Sequence, residues 1–146
     1  MIHLQGFFQR YLSVYRPLIS KLNVLLGEHD LSYSLWQVIF FVKGNGPSTL
    51  VDISTHYNIE KPSITRSVHR LEEMQLIKQI PGKDRREKII QLTNSGEEIY
   101  QVCRSKITEL EYSIMKEIPE EMQETASQIF PLIRENLINK EGNKSE

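Results

Sequence analysis

Between residues 50 and 92 the hydrophobic period switches from helical steps to strand alternation, with a turn full of cations in the second part. Few folds accommodate that order. Leu50, Ile53 and Tyr57 are spaced for one face of a short helix over Leu50–His56. Asn58 follows, a residue that takes up a left-handed turn more easily than most. A second helix opens at Glu60 or Lys61, with Pro62 in the first turn, where its missing N–H costs nothing. Ile64, Val68 and Leu71 share one face of it. Arg66, His69, Arg70 and Ser63 lie on the opposite arc, and Thr65 is at the flank. Leu76–Ile80 and Glu87–Leu92 then read as strands, with Leu76 and Ile80 inward. Pro81-Gly82-Lys83-Asp84-Arg85-Arg86 between them is a turn, which makes a β-hairpin. The predicted fold class is mainly α with a small β-hairpin wing, a winged helix-turn-helix flanked by N- and C-terminal helices.

Charge concentrates in the same stretch. The whole chain of 146 residues has a net charge of −1. Residues 1–60 are neutral, residues 61–93 carry +4 and residues 94–146 carry −5. A basic middle between neutral and acidic flanks is a local electrostatic footprint suited to a polyanion. Enzyme classes find little support. His3, His29, His56 and His69 are scattered without metal-ligand spacing. Gly44-Asn45-Gly46-Pro47 lacks the Lys-Ser/Thr ending of a phosphate loop. No catalytic carboxylate pair or nucleophile elbow is recognisable, so neither metal nor cofactor is expected. No apolar run reaches the roughly 18 residues of a membrane span, and the N-terminus lacks the pattern of a secretory signal. A cytoplasmic location is expected.

Helix-turn-helix geometry assigns roles. The second helix enters the major groove of double-stranded DNA with its N-terminal residues at the base edges. Ser63 and Thr65 are short enough for close approach, and Arg66 has the fork that pairs with guanine. Arg70 and His69, further along, suit phosphate. At the hairpin tip, Arg86 suits the narrow minor groove, with Lys83 and Arg85 on phosphates. Asp84 either orients the Arg86 guanidinium or supports the turn.

The run from Leu50-Val51-Asp52-Ile53 through Lys61-Pro62-Ser63-Ile64-Thr65-Arg66 to Asp84-Arg85-Arg86, Leu92-Thr93 and Gly96 resembles the MarR family of bacterial regulators. Asp84 and Arg86 match that family's Asp-x-Arg wing tip, Leu92-Thr93 its following Leu-Thr, and Thr65-Arg66 the start of its recognition helix. Pro17 and Pro131 depart from it by interrupting terminal helices that are usually continuous, and Lys61-Pro62 replaces a small polar helix opening. The resemblance implies a transcriptional regulator, a repressor, that binds a pseudo-palindromic operator as a homodimer. It also implies a small aromatic effector, for which Tyr11, Tyr15, Trp36 and Phe40 are the candidate lining residues. At helical spacing the same four also fit plain core. A winged protein-interaction module that binds no DNA is the alternative.

The flanks complete the plan. Apolar steps over residues 7–26 predict a helix ended by Gly27 and kinked by Pro17. Ser32 or Ser34 caps a buried helix to about Lys43. Thr93 or Asn94 caps a long helix to about Glu117, and Ser95 with Glu98 also fits a capping box. A last helix restarts near Ile118-Pro119. The expected organisation is a single domain over 1–146. About 32–93 form the DNA-binding lobe, about 4–26 and 94–139 the dimerisation helices, and 140–146 a frayed tail. Cys103, the one cysteine, sits on an apolar helix side and reads as buried and structural.

Overall fold

A computed structural model describes residues 6–84 and 86–143, apart from the side chains of 140–143. The elements run α1 (Phe7–Gly27), α2 (Tyr33–Asn45), β1 (Ser48–Thr49), α3 (Leu50–Tyr57), α4 (Lys61–Glu73), β2 (Ile77–Pro81), β3 (Lys88–Leu92), α5 (Asn94–Ile114) and α6 (Glu120–Asn143). They fall into two compact units, one through Ile107 and one from Thr108. In the first unit the expected helix-turn-helix and hairpin are present, each boundary within about two residues. Among the described residues no helix is long and apolar enough to cross a membrane.

Local chemistry explains how the helices start and stop. Ser32, not Ser34, caps α2, accepting the Leu35 N–H at 3.4 Å. Thr49 and Asp52 form a reciprocal capping box at the start of α3, which the sequence signals as Thr-x-x-Asp. Asn58 is left-handed as expected, at φ 54°. It lets the Ile59 N–H return to the Ser54 carbonyl at 3.1 Å. The same device closes α4: Gln75 stands at φ 62°, and the Leu76 N–H reaches the Leu71 carbonyl at 3.0 Å. Gly27 does not stop α1 in this way. The left-handed residue is Asp30, at φ 58°, and the Leu31 N–H bonds to Leu26. Gly46, at φ 79°, ends α2.

Pro17 and Pro131 do not interrupt their helices, which run through them as single elements. Proline deletes one rung of the ladder, but its fixed φ is close to helical, so the ladder resumes. Helix α6 continues to Asn143, beyond the expected boundary at 139.

The core of the first unit gathers Leu26, Val38, Ile39, Ile53, Val68, Leu71, Ile77 and Ile90, each at most 2% exposed. Helix α2 supplies Trp36, Val38, Ile39, Phe41 and Val42 to the buried side, whereas Phe40 remains 44% exposed. The sheet has the order β1-β3-β2, antiparallel throughout. Strand β1 was not expected from the sequence. Two residues show no alternation, and pairing with Ile89 and Ile90 makes them a strand. The hairpin register sets Ile77 opposite Leu92 and Gln79 opposite Ile90. The register therefore puts Ile77, not Ile80, on the inner face with Ile90, and Leu76 is buried just ahead of the strand.

Tyr57 ties α3 to α2 by donating its hydroxyl to the Gln37 carbonyl at 3.0 Å. Burial, then neighbouring Tyr33, pushes its pKa up to about 12 from 10.0. A raised folded pKa means a stabilisation fully present below pH 10 and lost as pH climbs toward 12. We expect Tyr57→Phe to destabilise by about 1 kcal/mol near neutrality. The gap to wild type should narrow between pH 10 and 12, as read from urea midpoints across that range.

In the second unit, Tyr112, Met122, Leu132 and Leu137 are 60–77% exposed. In the first, α1 leaves Phe8, Leu12, Val14 and Val24 52–73% exposed. Both units thus present large apolar side chains to solvent.

Candidate nucleic-acid interface

Helix α4 sorts its side chains by solvent. Ile64, Val68 and Leu71 are buried, and Thr65, Arg66, His69 and Arg70 are exposed. Ser63 is half-buried at the N-terminal end. No side chain caps this helix, and Glu60 precedes it with Pro62 in its first turn. Its opening N–H groups are thus not held by a cap. The Thr65 hydroxyl donates back to the Lys61 carbonyl at 2.9 Å, within its own helix. The Arg66 guanidinium donates to the Ser63 hydroxyl at 3.1 Å, drawing it back along the helix.

His69 and Arg70 converge on Glu73, at 3.0 and 3.3 Å. Glu73 is a site residue not expected from the sequence, although it follows His69 by four positions and Arg70 by three, the spacing of neighbours on one helix face. Exposed pairs of this kind are weak and exchange easily for another anion. A second carboxylate, Glu72, accepts from the Gln79 amide at 2.9 Å and ties strand β2 to α4.

The hairpin tip projects exposed Lys83, Asp84 and Arg86; Arg85 lies outside the described residues. Of the two roles open to Asp84, the contact present is the turn-supporting one. Its carboxylate accepts the Arg86 backbone N–H at 3.3 Å, and its carbonyl accepts from Glu87 at 3.0 Å. The Gly82 N–H closes the loop on the Glu87 carbonyl at 2.8 Å.

The lobe bearing these residues matches the family model described as a winged helix DNA-binding domain over residues 31–96. The chain is 31% identical to the HTH-type transcriptional regulator YwoH of Bacillus subtilis over 115 residues, covering 79% of this chain and 84% of that one. Among solved structures, Staphylococcus aureus MarR in complex with salicylate and kanamycin superimposes with TM-score 0.84 at 26% identity, covering 92% of each chain. This chain is a MarR-family transcriptional regulator. Its fold also matches an Escherichia coli MarR variant solved with operator DNA, at TM-score 0.79 and 18% identity, over 88% of this chain and 93% of that one.

The four aromatic residues proposed for an effector divide in the regulator's first unit. Trp36 is 4% exposed and stacks on Tyr100, with centroids 5.5 Å apart and planes 6° from parallel. Phe40 is tilted beside it at 6.2 Å. Tyr11 and Tyr15 pair with each other at 6.4 Å and remain 45% and 43% exposed. Trp36 is thus core, and the other three reach solvent. Tyr100 was invisible as a partner, because 64 residues separate it from Trp36. Lys43 sits over the Tyr100 ring at 5.7 Å and pairs with Glu97 at 2.7 Å. Cys103 is fully buried, as expected. Burial pushes its thiol up against a smaller opposite pull from Lys106, which disfavours the thiolate that redox sensing needs.

Proposed function

We propose that this regulator is a repressor that binds a pseudo-palindromic duplex operator as a homodimer. The observation that carries this reading is the two-faced recognition helix, with three apolar side chains buried and a polar, cationic arc in solvent, inside a winged DNA-binding lobe. Ser63, Thr65 and Arg66 read the major groove. His69 and Arg70 exchange Glu73 for phosphate. Arg86 enters the minor groove from a turn held by Asp84, and Lys83 and Arg85 lie on phosphates. The lobe is about residues 32–93. Helices α1, α5 and α6 bury their exposed apolar side chains against a second copy, which spaces two half-sites by about one helical turn, on the order of 34 Å. The protein acts in the cytoplasm, by binding rather than catalysis. A small aromatic acid bound beside Tyr11, Tyr15, Phe40 and the rim of Trp36 would release DNA by favouring a dimer whose recognition helices are mis-spaced. The relative solved with salicylate supports that ligand class.

The test uses a duplex enriched from a random library by the wild-type protein. Binding should fall steeply with salt, as phosphate contacts require. Arg86→Ala should weaken it by about 1–3 kcal/mol and leave the thermal midpoint unchanged. An unaltered isotherm would remove Arg86 from the interface, and salt-insensitive binding would remove the DNA reading itself.

A further inference from the structure

One groove beside the recognition helix has no assigned role. It holds about 290 Å³ between the first turns of α2 and the flank of α4. Ser34, Gln37, Ser63, Arg66 and Ser67 line it, over a floor of Ile59 and Ile64. The lining offers three hydroxyls, an amide and one guanidinium, and no carboxylate. That composition disfavours a cation and suits an oxyanion, because every polar group in it can donate a hydrogen bond. The Arg66–Ser63 bond at 3.1 Å holds the positive charge at the groove's edge. The Gln37 amide nitrogen carries two N–H groups, so this lining residue can donate to a partner in the groove.

We propose that this groove seats a backbone phosphate of the bound duplex, so that Ser34, Gln37 and Ser67 belong to the DNA interface together with Arg66. The inference rests on the DNA reading above. It adds a contact from α2, outside the helix-turn-helix, and this contact sets how deep α4 sits in the major groove. Arg66 supplies the charge at the rim with one edge of its guanidinium while the other edge faces the bases. The neutral donors fix the position of the phosphate.

A scan of single methylphosphonates through the enriched duplex tests this, since each replaces one charged phosphate by a neutral group. The wild type should lose about tenfold at one position per half-site. The double variant Ser34→Ala with Gln37→Ala should bind the unmodified duplex roughly three- to tenfold more weakly, the range for a lost neutral hydrogen bond or two. Its salt slope should be unchanged, because neutral side chains release no counterions. It should lose clearly less than the wild type when that one phosphate is neutralised, the remaining loss being the contribution of Arg66. Gln37→Glu, nearly isosteric, should weaken binding more than tenfold through repulsion, which guards against an effect of truncation on folding. Equal losses for wild type and double variant at every methylphosphonate, with Arg86→Ala still impaired, would overturn the phosphate seat and leave the DNA reading standing. Absence of salt-dependent binding by the wild type would overturn both.

Discussion

Gly96→Ala should destabilise the regulator by at least about 3 kcal/mol, lowering the thermal midpoint by about 10 °C. Gly96 is buried in the first turn of α5, and a Cβ there would lie well inside van der Waals contact of the Leu76 carbonyl oxygen. That oxygen cannot retreat freely, because it accepts the Thr93 N–H at 3.1 Å. The Thr93 hydroxyl donates to the Gln75 carbonyl at 2.7 Å and accepts the Gly96 N–H at 3.0 Å. Thr93 is therefore the cap of α5, ahead of the alternatives Asn94 and Ser95. One hydroxyl and one missing side chain thus join the end of the recognition helix to the start of α5. The urea midpoint should fall with the slope unchanged, since the fold is strained rather than loosened. A loss below about 1 kcal/mol would show that the junction relaxes and that the close approach is not a constraint.

Leu71→Ala should cost about 2–5 kcal/mol, the range for truncating a fully buried leucine. Leu71 is 0% exposed on the inner face of α4, in line with Ile64 and Val68. Its backbone carbonyl holds the Leu76 N–H, but that bond does not depend on the side chain. The expected loss is therefore one of packing alone. DNA affinity per folded molecule should stay within about threefold of wild type, because Ser63, Thr65, Arg66, His69 and Arg70 face away from the lesion. Arg86→Ala should behave oppositely, losing affinity while keeping stability. Calorimetry paired with a binding titration on both variants separates the two. If Leu71→Ala left the midpoint unchanged, the buried face of α4 would not be what seats the helix.

The elements legible in the sequence are those made by neighbours along the chain. Steps of three and four residues placed Ile64, Val68 and Leu71 on one face. Asn58 announced its left-handed turn, and the cation-rich segment from Pro81 to Arg86 announced the hairpin. The basic arc of α4 followed from the same periodicity. Side-chain geometry within a helix or a turn depends on the local backbone alone, so a short window of residues holds all the information it needs.

Tertiary structure decided what joins distant residues. Ser48 and Thr49 became a strand only by lying beside Ile89 and Ile90. Phe41 went inward and Phe40 outward because of how α2 meets α3, where Phe41 packs its ring on His56 and Tyr57 at 5.1 and 6.1 Å. Trp36 found Tyr100, Thr93 found Gln75, and Ser34 and Gln37 came to border the helix that carries Arg66. Each of these depends on the direction in which a whole element is packed. That direction is chosen by the summed burial of many side chains, a quantity that no single stretch of the chain contains.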